Sequence, residues 1–148
     1  MIHEIDLCKL NDTTPEEERK YRVGNTFSYD GKKFANMLCY VDARYVQDKL
    51  DEIVGSTNWS SEFLEIKGNL FCKITITFVR EDGNYDTISK MDCGVESNVE
   101  KQKGEASDAF KRAAVQFGIG RDLYNLPNYR VEMTEFNGKW YPPKNWKP

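Results

Sequence analysis

The sequence predicts an α+β fold: a three-stranded antiparallel β-meander followed by a long helix, a β-β-β-α core, with a further helix before it. Three observations carry this. Leu70, Cys72, Ile74, Ile76 and Phe78 alternate with Lys73, Thr75 and Thr77, the two-residue period of a strand with one buried face. Ala43, Val46, Leu50, Ile53 and Val54 recur at helical spacing, which gives one apolar stripe. Ala106, Ala109, Phe110, Ala113, Ala114 and Phe117 do the same further on.

In chain order, Thr13-Thr14-Pro15-Glu16-Glu17-Glu18 reads as a short capped helix. Thr14 is the N-cap, Pro15 the first helical residue, and the acids lie in the first turn. Residues 21–34, with Gly24, Asp30-Gly31 and Lys32-Lys33, read as a loop or a loose hairpin. Met37 to Val41 reads as a strand or an extended entry to the helix of 42–55, which Asp42 can cap and Gly55 can close. Trp59 to Ile66, Leu70 to Val79 and Tyr85 to Met91 are the three strands, joined by turns at 67–69 and 81–84. Residues 92–98 break the strand pattern. The long helix spans roughly 99–117, and Gly118-Ile119-Gly120 ends it. Residues 121–127 give one more helical turn, stopped by Pro127. The tail around 136–144 can form a short hairpin. The expected organisation is one domain: an N-terminal helix and loop (1–36), a core (37–127) and a tail or short hairpin (128–148).

The 148 residues are about one domain's length. At 39% apolar, 30% charged and 13% aromatic, the chain is too polar for a membrane protein and too aromatic for a disordered one. No stretch approaches a membrane span. The net charge of −3 gives no global argument for nucleic-acid binding, but its distribution does. Residues 1–20 hold three basic and six acidic side chains, and residues 81–100 hold one and six. Residues 101–148 hold nine and five, a balance of +4.

Cys8, Cys39, Cys72 and Cys93 stand 31, 33 and 21 residues apart, which fits neither a zinc knuckle nor a redox pair. The single histidine, His3, lies near an end expected to be mobile. Met1-Ile2-His3-Glu4 holds no basic region followed by an apolar run. The expectation is four reduced thiols in a cytosol, three of them in the core.

The sequence contains no Gly-x-x-x-x-Gly-Lys-Ser/Thr loop and no Gly-x-Ser-x-Gly with a downstream histidine, so nucleotide hydrolysis and acyl chemistry have no support. Asp82, Asp86, Asp92 and Glu96 could build a magnesium nuclease site, or could line a turn and a solvated edge. Lys101, Lys103, Lys111 and Arg112 lie on or beside the polar face of the second helix, with Arg121 just past its end. Such charge can track a phosphate backbone, although Asp108 and Arg112 also form an ordinary i,i+4 pair. The alanines of this helix permit close approach to a sheet or another subunit. Trp59, Phe63, Phe71 and Phe110 fit core positions. Tyr45 lies off its helix's stripe beside Arg44; the pair could stack on a base and touch phosphate, or pack at a subunit contact.

Tyr40-Val41-Asp42-Ala43-Arg44-Tyr45-Val46-Gln47-Asp48-Lys49-Leu50-Asp51-Glu52-Ile53-Val54-Gly55 with Asn58-Trp59 resembles the first motif of the Rad fifty-two/twenty-two family of single-strand annealing recombination proteins. Gly104 to Arg121, containing Ala109-Phe110-Lys111-Arg112-Ala113-Ala114 and followed by Leu123-Tyr124, resembles its second. The likeness spans about residues 38–127, with a strand meander between the motifs. The ending Trp140-Tyr141-Pro142-Pro143 is similar to the Sak-type branch of bacteriophages.

The resemblance implies a β-β-β-α core that assembles side by side into a ring or helical filament. It implies single-stranded DNA in a basic groove, backbone inward and bases outward, and ATP-independent annealing of complementary strands in homologous recombination and repair. In the family an adjacent Lys-Arg pair lines the groove, here Lys111-Arg112. A basic residue of the first-motif helix also lines it, and that region offers Arg44 with Tyr45 next to it. Where eukaryotic members carry a further basic residue, this chain has Val115 and Gln116, and Arg121 can substitute. The resemblance implies no enzyme activity and no cofactor. It implies a bacterial or phage-infected cytoplasm, and a single-strand binding protein or host recombinase as partner. The alternatives are a magnesium-dependent nuclease and a monomeric double-stranded RNA-binding module.

Overall fold

The computed structural model describes residues 2–95 and 101–148, without the side chains of 101–103. Two three-stranded antiparallel sheets and two helices build the fold. A 3-10 segment over Glu4–Asn11 leads into the three-residue 3-10 turn Glu16–Glu18. Strands β1 (Lys20–Tyr29) and β2 (Lys32–Tyr40) follow, then helix α1 (Ala43–Ile53). The meander is β3 (Trp59–Ile66), β4 (Asn69–Val79) and β5 (Tyr85–Cys93). Helix α2 (Lys101–Gln116) follows, then a 3-10 turn (Arg121–Asn125), β6 (Tyr129–Glu132), β7 (Thr134–Phe136) and β8 (Lys139–Tyr141). No described helix is long and apolar enough to cross a membrane.

The meander forms as its alternation predicts. In β4, Cys72, Ile74, Ile76 and Phe78 are all buried. They meet Ala109, Phe110, Ala113 and Ala114 of α2 and Val46, Leu50 and Val54 of α1 in the main core. Burial pushes the Cys72 thiol up to about 11. Helix α2 crosses β4 and β5. Phe63 shares that face through its pairing with Cys72, but it lies on edge strand β3, outside the helix's cover. It is 46% exposed and not the core residue its type suggests. Phe71 pairs with Leu64 and Cys93, so it faces the opposite side of the sheet, also away from the core.

The second sheet is ordered β1-β2-β6; of the loop or loose hairpin expected over 21–34 the hairpin is present, as two long paired strands. Its hairpin turns at Asp30 and Gly31, with φ of 51° and 74°. Two consecutive left-handed residues suit the twist of a two-residue hairpin, and glycine enters that region without strain. β6 joins the far edge with Val131 opposite Ala35 and Tyr129 opposite Met37. Ala35, Met37, Val131 and Met133 make a second small core, capped by Tyr21, Tyr129 and Trp146. The tail hairpin is present as β7-β8.

Three further local expectations change. Thr14 caps no helix; its hydroxyl and backbone N–H both go to Asp122. Asp42 makes no side-chain cap to α1 and pairs with Lys20 instead. His3 is tied down, bridging in parallel to Val79, whose N–H donates to the Ile2 carbonyl at 2.9 Å. Among the cysteines only Cys72 is fully in the core; Cys39 and Cys93 are half-buried and Cys8 is exposed, all four as free thiols.

Candidate nucleic-acid interface

The small residues of α2 decide where its charges stand. Ala109, Ala113 and Ala114 are fully buried, so the helix backbone lies close against β4 and β5. Gly94 shows how close: a Cβ there would sit 2.1 Å from the Glu105 carbonyl oxygen. With its alanine face committed to the sheet, α2 turns Asp108, Lys111, Arg112 and Val115 toward a groove of about 400 Å³. The opposite wall comes from Arg22 of β1, from Met37 to Val41 at the end of β2, and from Leu123, Tyr124 and 126–129. Leu38 is 47% and Tyr124 70% exposed, which leaves apolar and aromatic surface open between the cations.

Tyr40 organises the charge. Arg22 Cζ lies 5.7 Å and Lys111 Nζ 5.5 Å from its ring centroid, both within cation–π range. Lys111 Nζ also donates to the Val41 carbonyl at 3.2 Å. An ammonium has three donors, so two remain for a ligand. Burial holds the Lys111 pKa below the usual lysine value; Asp108 and Asp42 oppose this and Arg22 adds to it. Arg112 stands at the exposed rim, with Nε donating to Asp108 Oδ2 at 2.9 Å. The same oxygen accepts the Val95 N–H at 2.9 Å. Asp108 therefore fixes the guanidinium by one edge and leaves its other donors facing out. Arg22, Lys111 and Arg112 outnumber the one acid that lines the groove, Asp108.

Of the residues singled out from sequence, Lys111 and Arg112 come together here. Arg44 is exposed on the first turn of α1 and does not line the groove. Tyr45 is not an exposed stacking ring: it packs half-buried against the main core. Burial raises its phenol pKa, which contact with Thr14 partly offsets. The N-terminal segment held by Asp122 occupies that side of α1, a contact the stripe of α1 alone does not predict. Arg121 is an end-cap to α2: Nε and Nη2 donate to the Val115 carbonyl at 3.1 and 2.9 Å, and Nη2 to that of Gln116 at 2.9 Å. Lys90 joins it with a 2.9 Å bond to the Gln116 carbonyl, so two cations satisfy orphan carbonyls at the negative end of the helix. Lys101 and Lys103 have side chains outside the described residues.

Sequence reasoning missed Arg22, Tyr40 and Tyr124. A signal existed for Arg22. Lys20-Tyr21-Arg22-Val23 alternates charged and apolar residues, and reading it as a strand places Arg22 opposite Tyr21 and Val23.

The three described acids considered for a nuclease are otherwise engaged. Asp82 accepts the Asn84 N–H within its turn at 2.9 Å. Asp86 accepts the Thr87 N–H at 2.8 Å and Arg80 Nε at 2.6 Å, contacts that hold its pKa below the usual carboxylate value. Asp92 accepts the Cys93 N–H at 2.7 Å and Gln116 Nε2 at 3.3 Å. Glu96 lies outside the described residues. Among the described residues no three histidine, cysteine or acidic side chains cluster in a way that could hold a metal ion.

Residues 6–139 match the family described as Rad52/22 family double-strand break repair protein. The chain is 41% identical over 103 residues to the single-stranded DNA-binding protein DdrA of Deinococcus deserti, covering 68% of this chain and 48% of that protein. It is 40% identical over 95 residues to the protein of the same name from Deinococcus radiodurans, covering 63% and 43%. The chain thus spans about half the length of the curated relatives it matches.

Proposed function

This chain belongs to the Rad52/22 family, and on that premise we propose that it binds single-stranded DNA in the groove between α2 and the end of β2 and anneals it to a complementary strand. The observation that carries the reading is the pairing of Arg22 and Lys111 on the Tyr40 ring, with Arg112 at the rim of the same groove. The three cations replace the counterions of adjacent phosphates. Tyr124 and Leu38 offer open surface beside them. Holding the backbone leaves base edges free, and base pairing with the incoming strand supplies the sequence information.

A single groove with three cations is a modest site. Side-by-side assembly into a ring or filament would join such grooves into one track, and linked weak contacts bind far more tightly than one. Annealing of this kind needs no nucleotide hydrolysis, because pairing itself is downhill. The family assignment and the engaged acids favour this reading over a magnesium nuclease, and over a monomeric double-stranded RNA binder.

The test is annealing of complementary oligonucleotides without nucleotide, comparing wild type with Lys111→Ala/Arg112→Ala. The double variant is expected to lose most of the annealing rate, and the salt dependence of its single-strand binding should flatten by about 1.4 in log–log slope, roughly 0.7 for each lost phosphate contact. Wild-type affinity across a salt series would place the DNA elsewhere.

A further inference from the structure

Resting on that reading, we infer that bound single-stranded DNA leaves the groove along the outer face of the β1-β2 hairpin and reaches a second contact at Arg130, supported by Phe34 and Phe27. Phe34, Asn36, Leu38 and Tyr40 stand two residues apart on β2, so they share one face of the sheet. Leu38 and Tyr40 line the groove, together with Met37 and Cys39 of the other face; Arg22 and Lys111 sit on Tyr40, so the face that carries Tyr40 runs on from these cations toward Phe34. At about 3.4 Å per residue, Phe34 lies roughly 20 Å along the strand from Tyr40. That is room for several nucleotides beyond the groove.

The far end is built for a flat, charged contact. Phe27 and Phe34 pair across the hairpin with ring centroids 5.6 Å apart and planes 23° from parallel. Arg130 of β6 lays its guanidinium over them, 4.6 Å from the Phe34 centroid and 5.7 Å from that of Phe27. A guanidinium supported from below by aromatic rings presents its other face to solvent, where a base can stack while its N–H groups meet phosphate. Arg130 is exposed and has no ion-pair partner among the described residues. The one acid beside it on this face is Glu132, opposite Phe34.

The opposite face of the sheet is already used. Ala35, Met37 and Val131 are buried there, and Trp146 packs edge-on to Tyr21 with centroids 5.4 Å apart. Solvated cations and aromatic rings on the outer face complement a nucleic-acid strand better than an apolar partner. Asn36, whose Nδ2 donates to Asn25 Oδ1 at 2.9 Å, stands between the two ends with polar groups.

The experiment measures binding of an oligothymidylate of about 20 nucleotides carrying one 2-aminopurine, over a salt series. Its arms are wild type, Arg130→Ala, Arg130→Lys and Lys111→Ala/Arg112→Ala. Arg130→Ala is expected to weaken binding about five- to twentyfold, the scale of one lost stacking contact, and to lower the salt slope by about 0.7. Arg130→Lys should recover the salt slope but not the fluorescence change on binding, because an ammonium has no plane on which to stack. Wild-type affinity and slope in Arg130→Ala, with a loss only in the Lys111/Arg112 variant, overturn this inference and leave the groove standing. Normal binding by the Lys111/Arg112 variant removes the groove, and the continuation with it. A sedimentation change in Arg130→Ala without DNA would make this face a contact between copies, which also overturns the inference.

Discussion

Asp122 grips Thr14 with both carboxylate oxygens: Oδ2 accepts the Thr14 N–H at 2.9 Å and Oδ1 accepts its hydroxyl at 2.7 Å, across 108 residues of sequence. Thr14 is 1% exposed. Arg19 completes the set, with Nε on the Thr14 carbonyl at 3.2 Å and Nη2 on Asp122 Oδ2 at 3.5 Å. This clasp fastens the N-terminal segment to the turn after α2, and that turn supplies one wall of the groove.

Removing Asp122 leaves the Thr14 N–H and hydroxyl without their acceptor, and removing the Thr14 hydroxyl leaves Asp122 Oδ1 without its donor; an unpaired buried partner costs more than the bond itself contributed. Asp122→Ala should destabilise the fold by about 2–4 kcal/mol, and Thr14→Val by about 1–2 kcal/mol. Urea denaturation checks both. Adding the two changes should give less than the sum of their separate effects, since they break one network. An additive pair would count against a shared network.

Gly94 and Gly31 separate two reasons for glycine. A Cβ at Gly94 meets the Glu105 carbonyl at 2.1 Å and the Ala109 N at 2.9 Å, backbone atoms that cannot turn aside. Gly94→Ala should push α2 off the sheet and cost at least about 1–3 kcal/mol, with weaker DNA binding because Lys111 and Arg112 move with the helix. A Cβ at Gly31 meets nothing within 4 Å, but its φ is 74°. Gly31→Ala should cost only the strain of a left-handed residue, about 1–2 kcal/mol, and leave DNA binding unchanged.

Lys111 gives the groove a pH dependence. Burial lowers its pKa from the model-compound 10.5, so between the folded value and 10.5 the unfolded chain binds more protons. Stability from this group therefore rises with pH through that window, and below it the buried charge weighs fully against folding. DNA affinity runs the other way: it should begin to fall below pH 10.5 as the ammonium loses its proton. Lys111→Arg keeps its charge throughout, so the wild-type and variant affinity curves should separate on the alkaline side. Parallel curves for an oligothymidylate would show that Lys111 does not touch phosphate.

Arg121 tests helix-capping against DNA contact. Its guanidinium is spent on the carbonyls of Val115 and Gln116. Arg121→Ala should lower stability by about 1 kcal/mol through the lost end-cap and leave the salt slope of DNA binding where it was. A flatter slope would restore Arg121 to the interface.

Much of the fold was legible because it is written in local periods. The apolar alternation of β4, the stripe of α1 and the alanine face of α2 each lie within one element, and each buries as its spacing requires. Lys111 and Arg112 follow, because a helix that commits its alanines to a sheet has one direction left for its charges. The β1-β2-β6 sheet was not legible in the same way. Asp30-Gly31 marked its turn, but β6 joins β2 from about ninety residues away with four residues of its own, and no local pattern specifies that pairing. Long-range contact also decided the roles of single residues. Tyr45 turns inward because Thr14 and Asp122 meet beside it, Arg121 turns back onto α2 because the helix end needs donors, and Arg22 enters the groove because β1 pairs with β2. Sequence by itself determined the meander, the two helices and the basic pair. Tertiary structure alone decided which cations share one groove, because side-chain direction follows from pairings between segments and not from the order of residues within one.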